Sequence, residues 1–222
     1  EIMAALAGII YYKKHKSTVV KYFIWFLVYV AIIELIGAYP RYLRDYEFLS
    51  SIESFLKGTK FESNYWWYTI CWNIGSALFY SFYFRKFIQS RRYVKFLYYL
   101  TIAFVMFSVG HIVVNWDRFF VASLPAITIS GTMLIFLSIV FYLTEILQSD
   151  RILSFYQSIN FYISTVLLVW FLVVTPLVFY QIYYSNADWN FIFLRWQIYL
   201  TMNIFMYSTF TFTIVWCNPQ NN

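Results

Sequence analysis

VVKYFIWFLVYVAIIELIGAY, residues 19–39, is the stretch that decides the class of this chain. Only Lys21 and Glu34 are charged in it, and its apolar side chains fall on every side of a helix, so no face is left for water. About 20 such residues cover the roughly 30 Å of hydrocarbon in a bilayer. Runs of the same kind recur near 65–88, 93–115, 119–147, 157–184 and 190–216. Ile2 to Tyr12 is apolar but too short to cross alone. Because the chain starts at Glu1 without an initiator Met, that run is expected to be the inner part of a truncated first helix. A cleaved signal peptide fits less well, since Lys13, Lys14, His15 and Lys16 stand where a small-residue cleavage site belongs. The expectation is an all-α, polytopic seven-helix transmembrane bundle forming a single transmembrane domain over 1–222. Its helices are expected near 2–12, 19–39, 65–88, 93–115, 119–147, 157–184 and 190–216.

Composition agrees. Of 222 residues, 62% are hydrophobic, 25% aromatic and only 12% charged, against about 25% charged in soluble domains. That balance excludes a water-soluble enzyme, a nucleic-acid-binding module and a disordered tail.

Lys and Arg set the orientation, because positive loops stay in the cytoplasm. Lys13, Lys14, Lys16, Lys21, Arg85, Lys86, Arg91, Arg92, Lys95 and Arg151 fall on one face. Opposite them Arg41, Arg44, Lys57, Lys60 and Arg118 are offset by Asp45, Glu47, Glu53, Glu62 and Asp117. The N-terminus is therefore expected outside and the C-terminus in the cytoplasm. The net charge of +6 is a topology signal, and no nucleic-acid partner is needed to explain it. Tyr65, Trp66, Trp67, Tyr68, Trp116 and Trp189 read as an outer aromatic belt, and Tyr12, Tyr22, Trp25, Tyr142 and Trp216 as an inner one. Between spans, Asp45 is a plausible N-cap and Gly58 a plausible C-cap. Phe48, Leu49, Ile52, Phe55 and Leu56 recur between them at helical spacing, which predicts an outer amphipathic interfacial helix over 45–58.

Several chemistries lack their residues. A retinal Schiff base needs a Lys in the last helix, and the last Lys is Lys95. Haem held between two His side chains needs both at membrane depth, but only His111 lies in a span. Cys71 and Cys217 fall on opposite sides of the membrane, so neither a disulfide nor a shared metal site is expected. No Walker A, HExxH or GxSxG motif occurs. No cofactor or metal is expected, and no catalytic residue is assigned.

Polar groups inside a span are costly, so each is a site hypothesis. Glu34, Asn73, His111, Thr128, Ser130, Gln181, Arg195 and Gln197 all fall in the outer half. One reading gathers Glu34, Asn73, His111, Arg195 and Gln197 into an outward-opening ligand pocket, with Glu34 and Arg195 as charge partners. The other has Glu34 and His111 reaching the interface or bonding a neighbouring helix. Pro176 removes one backbone hydrogen bond from its helix and is a candidate hinge. Glu34 with His111 is the pair a lipid-modifying enzyme would use as acid and base.

Four stretches carry a resemblance: Asn73 to Ser90 (NIGSALFYSFYFRKFIQS), Tyr142 to Asp150 (YLTEILQSD), Asn160 to Tyr180 with Thr175-Pro176-Leu177, and the closing Trp216-Cys217-Asn218-Pro219. Over about two-thirds of its length the chain resembles a group of small, uncharacterised seven-helix inner-membrane proteins of the Bacteroidota. Members of that group are often encoded beside histidine kinases or response regulators. The resemblance implies a sensory or signalling-partner role, with Glu145 at a recurring acidic position as a contact for a partner. The expected function is thus a non-enzymatic membrane protein, a signalling partner of a histidine kinase or a subunit of a membrane complex, embedded among lipids. The alternatives are the lipid-modifying enzyme and a purely structural accessory subunit.

Overall fold

A computed structural model describes residues 1–149, 157–180 and 189–217, with backbone alone at 178–180. All regular structure among them is helical. In chain order the elements are α1 (Ile2–Ile10), α2 (Tyr12–His15), α3 (Val20–Gly37), α4 (Tyr39–Asp45), a 3₁₀ turn (Glu47–Leu49), α5 (Ser50–Leu56) and α6 (Tyr65–Trp67). A π-helical segment (Tyr68–Ile74) follows, then α7 (Gly75–Arg85), α8 (Arg91–Val114), α9 (Trp116–Val121), α10 (Pro125–Leu147), α11 (Ile159–Tyr180) and α12 (Trp189–Trp216). Among the described residues, five helical stretches are long and apolar enough to cross a membrane: Val20–Asp45, Arg91–Val114, Pro125–Leu147, Ile159–Leu177 and Trp189–Trp216. The protein is a helical, membrane-embedded chain.

Proline explains where the helices depart from the sequence expectation. The run expected as one helix over 119–147 is split, with Ala122 extended and α10 opening at Pro125. Proline disfavours helical geometry in the residue before it and fits the first turn of a new helix. Pro40 lies in the first turn of α4, which runs on to Asp45. The helix expected over 45–58 is accordingly two pieces, a 3₁₀ turn and α5, behind an extended Tyr46. Asp45 caps nothing; it ends α4 and pairs with Arg41 at 3.4 Å and Arg44 at 3.5 Å. Gly58 does take the positive φ, 76°, that ends such a segment. Residues 65–85 form one unbroken helical run, but the π segment divides it into pieces shorter than a span.

Two compact units result, Glu1–Leu27 with Leu143–Asn222, and Val28–Tyr142. In the first, α12 packs against α11 and α1. Ala4, Ala5, Ala7 and Gly8 form the buried face of α1. A side chain at Gly8 would stand 2.9 Å from Ile24 Cγ2, so a small residue is what lets α1 approach α3. Phe23 meets Phe210 edge-on at 4.9 Å between centroids, an arrangement worth about 0.5–1.5 kcal/mol beyond area burial.

In the second unit, the core is aromatic. Tyr83 and Phe84 are fully buried, and Phe84 and Phe87 both pack on Tyr142. Ser81 and Thr101 join α7 to α8 through a 2.7 Å hydroxyl contact. At Gly131 of α10, an added Cβ would lie 3.3 Å from Phe104 and 3.4 Å from Ala77. Phe61, Trp66, Trp116, Phe119 and Phe120 form a further aromatic cluster, with Lys60 over the Trp116 and Phe120 rings and 3.4 Å from Asp117.

Candidate functional site

Polarity in the second unit collects where the C-terminal half of α3 meets the π segment. A π turn shifts each bond to i→i+5, and such segments recur at functional sites. Here neighbouring helices bond it. The Tyr29 hydroxyl donates to the Cys71 carbonyl at 2.9 Å. A Cβ on Gly75 would strike that hydroxyl at 2.7 Å, so glycine keeps the contact open.

Glu34 is half-buried on α3, and its Oε2 accepts the Tyr68 hydroxyl at 2.9 Å. Trp67 Nε1 donates to the Ile33 carbonyl at 3.1 Å, and Asn64 Nδ2 to the Gly37 carbonyl at 2.7 Å. Both rings press onto Gly37, where a Cβ would lie 2.8 Å from Tyr68 Cζ and 3.0 Å from Trp67 Cδ1. Glu34 is thus one helical turn from Gly37, the residue on which Tyr68 and Trp67 pack. Among the described residues its Oε1 has no hydrogen-bond partner. One π turn beyond Tyr68, Asn73 Nδ2 donates to Thr128 Oγ1 at 3.2 Å, tying the segment to α10.

The other expected pocket residues are placed differently. His111, on α8, is half-buried and lies beside the Phe107 ring at 5.5 Å. Arg195 and Gln197 lie on α12, in the other unit, the first half-buried and the second exposed. The structure thus places Glu34, Asn73 and His111 in one unit and Arg195 and Gln197 in the other. Glu145 is half-buried near the end of α10, and Pro176 is exposed within α11, which continues through it to Tyr180. Gln181 lies outside the described residues. Among the described residues no three His, Cys, Asp or Glu side chains are grouped to hold a metal ion.

Tyr68, Trp67 and Tyr29 are the site residues that sequence reasoning missed. With 22 Tyr and nine Trp in the chain, nothing marked these as polar partners rather than interfacial anchors. A second polar contact, in the first unit, also escaped notice. His15, read as part of a basic loop, is fully buried. Its Nε2 lies 3.0 Å from the Ile214 carbonyl and must be the donor, which leaves Nδ1 bare and without a partner. Lys14 Nζ donates to the Val215 carbonyl at 2.9 Å. Both cationic-type side chains thus cap the last turn of α12, where carbonyls lack helical partners and the dipole favours positive charge. Burial holds the imidazole below its usual pKa, and Lys14 acts in the same direction, against the pull of the Ile214 carbonyl.

Comparison with protein-family models, curated proteins and solved structures finds no match to this chain.

Proposed function

We propose that this chain is a seven-span protein of the bacterial inner membrane, N-terminus outside, that acts by binding: the sensory partner of a signalling protein, or a subunit of a membrane complex. In this reading α1 and the continuous 65–85 helix complete the seven crossings around the five apolar spans. The binding site is the Glu34 end of α3. The observation that carries it is the half-buried Glu34 carboxylate, of which one oxygen accepts the Tyr68 hydroxyl and the other has no hydrogen-bond partner among the described residues. A carboxylate with an open acceptor oxygen favours a ligand that presents an N–H donor or a positive charge. Glu145 is the corresponding contact for a cytoplasmic partner.

The test is cross-linking in native membranes, followed by purification and mass spectrometry of polypeptides and small molecules. Wild type should carry another polypeptide or an amine-bearing molecule that the Glu34→Gln and Tyr68→Phe variants lose while keeping their helical circular dichroism. Wild type recovered with neither would refute the reading. Glu34-dependent conversion of a lipid would replace it with the enzymatic one.

A further inference from the structure

The turn from α1 through α2 into α3 brings two side chains onto the C-terminal end of α12. His15 is fully buried, with Nε2 3.0 Å from the Ile214 carbonyl, and Lys14 Nζ donates to the Val215 carbonyl at 2.9 Å. A carbonyl only accepts, so the single ring proton of a neutral imidazole sits on Nε2. Nδ1 is then a bare lone pair, itself buried and without a hydrogen-bond partner.

This seam suits the neutral ring alone. A second proton would land on Nδ1, making it a donor that faces no acceptor and setting a positive charge beside Lys14. Buried donors without acceptors and buried charges without partners are both costly. The surrounding groups give no relief. Lys13 and Lys16 on the same turn and Lys21 on α3 add positive charge. Tyr11 and Tyr12 beside the ring, Tyr22 on α3, Tyr162 on α11, and Tyr207 and Cys217 on and just past α12 bring no carboxylate, and α1 from Ile2 to Ile10 has no ionisable side chain. Among the described residues of this unit the carboxylates are Glu1, at the opposite end of α1, and Glu145, near the end of α10 and with interactions of its own.

We infer that His15 is a proton-operated latch. Neutral, it holds the end of α12 against the α1–α3 turn together with Lys14; protonated, it leaves the seam and releases that end. Only the parted seam gives water to both ring nitrogens, which the imidazolium needs as donors. Burial, and after it Lys14, holds the ring below its ordinary pKa of 6.5, outweighing the Ile214 carbonyl. The closed seam therefore refuses a proton that the open one accepts. Opening is independent of pH above about 6.5 and grows below it, by up to about tenfold per pH unit for one proton taken up. This inference stands independently of the Glu34 site.

Cys217 reports the opening. It is 3% exposed and directly follows α12. Burial pushes its thiol up and Lys14 pulls it down, which sets it in the same seam. In a Cys71→Ser chain in detergent, thiol labelling is timed from about pH 7.5 to about pH 5. Each rate is divided by that of the unfolded chain at the same pH, which removes the thiol's own titration. With His15 present, relative labelling should be flat above about pH 6.5 and rise by up to about tenfold per unit below it. His15→Gln, which donates to Ile214 without titrating, should stay flat throughout. A flat curve with His15, or an equal acid rise in both chains, overturns the inference. Cys71, on the π segment of the other unit, separates a latch from general unfolding. In a Cys217→Ala chain its relative labelling should not follow the acid rise; a parallel rise overturns the latch. The two curves with His15 carry the test on their own should the glutamine variant not fold.

Discussion

Replacing Gly37 by alanine should destabilise the Glu34 site through sterics alone. Gly37 has no unusual φ, so its role is space. An alanine Cβ would sit 2.8 Å from both Cζ and the hydroxyl of Tyr68 and 3.0 Å from Trp67 Cδ1, closer than real contacts allow. Neither ring yields freely, because the Tyr68 hydroxyl is held by Glu34 and the indole N–H by the Ile33 carbonyl. Overpacking costs about 1–3 kcal/mol, and a displaced hydrogen bond about 1 kcal/mol more. The helix-propensity gain of alanine offsets up to about 1 kcal/mol, and less here, since Gly37 is the last residue of α3. The net loss is about 1–3 kcal/mol, which corresponds to a fall of several degrees in melting temperature at this chain length. Thermal unfolding in detergent, followed by circular dichroism, reads it. The decisive comparison is a double-mutant cycle: with Tyr68→Ala the obstructing ring is gone, and Gly37→Ala should cost little or nothing. If the two changes add, the steric account fails.

The His15 cap predicts a pH dependence of defined sign. Its folded pKa lies below the ordinary 6.5. Between the two values the unfolded chain takes up a proton that the folded chain refuses, so this group's contribution to stability falls as pH drops below about 6.5 and is flat above it. The slope is at most about 1.4 kcal/mol per pH unit. Wild type and His15→Gln, which retains a donor for Ile214 without titrating, should diverge only on the acid side; a difference that grows toward alkaline pH would contradict the burial argument. For topology, Ser54→Cys on α5, in the Cys71→Ser, Cys217→Ala background, should react with an impermeant thiol reagent in intact cells. Labelling only after lysis would reverse the proposed orientation.

Apolar runs were the most legible feature of the sequence, because lipid imposes one requirement along a whole span. α3, α8, α11 and α12 lie within a few residues of their expected positions. Interruptions were harder to read. Pro125 stood in plain view inside the expected 119–147 helix, but hydrophobicity is blind to the lost amide donor that splits it. The π segment has no local signature at all. It is stitched by Tyr29 and bounded by Gly75, contacts between residues more than 40 positions apart. Glu34 and Asn73 were singled out by polarity alone, while their partners Tyr68 and Thr128 depend on which helices meet. His15 shows the reverse error. A histidine among lysines looks solvated, and only the arrival of the α12 terminus makes it buried.

Polar groups in this protein divide by whether the chain satisfies them itself. Asn73 with Thr128, Trp170 with Asn203, Tyr29 with the Cys71 carbonyl, and Ser81 with Thr101 are closed pairs. Each removes the cost of a polar atom in hydrocarbon and holds two helices in register, which is a structural task. Glu34 Oε1 is different, because among the described residues it has no hydrogen-bond partner. In water such groups would be unremarkable, since solvent would complete them. At membrane depth solvent is absent, and what completes them must be another molecule. The carboxylate, single and already bonded to the Tyr68 hydroxyl, suits a small ligand or a donor from a partner. Glu34→Gln should therefore abolish Glu34-dependent binding while leaving the Asn73–Thr128 pair, and with it the helical circular dichroism, intact.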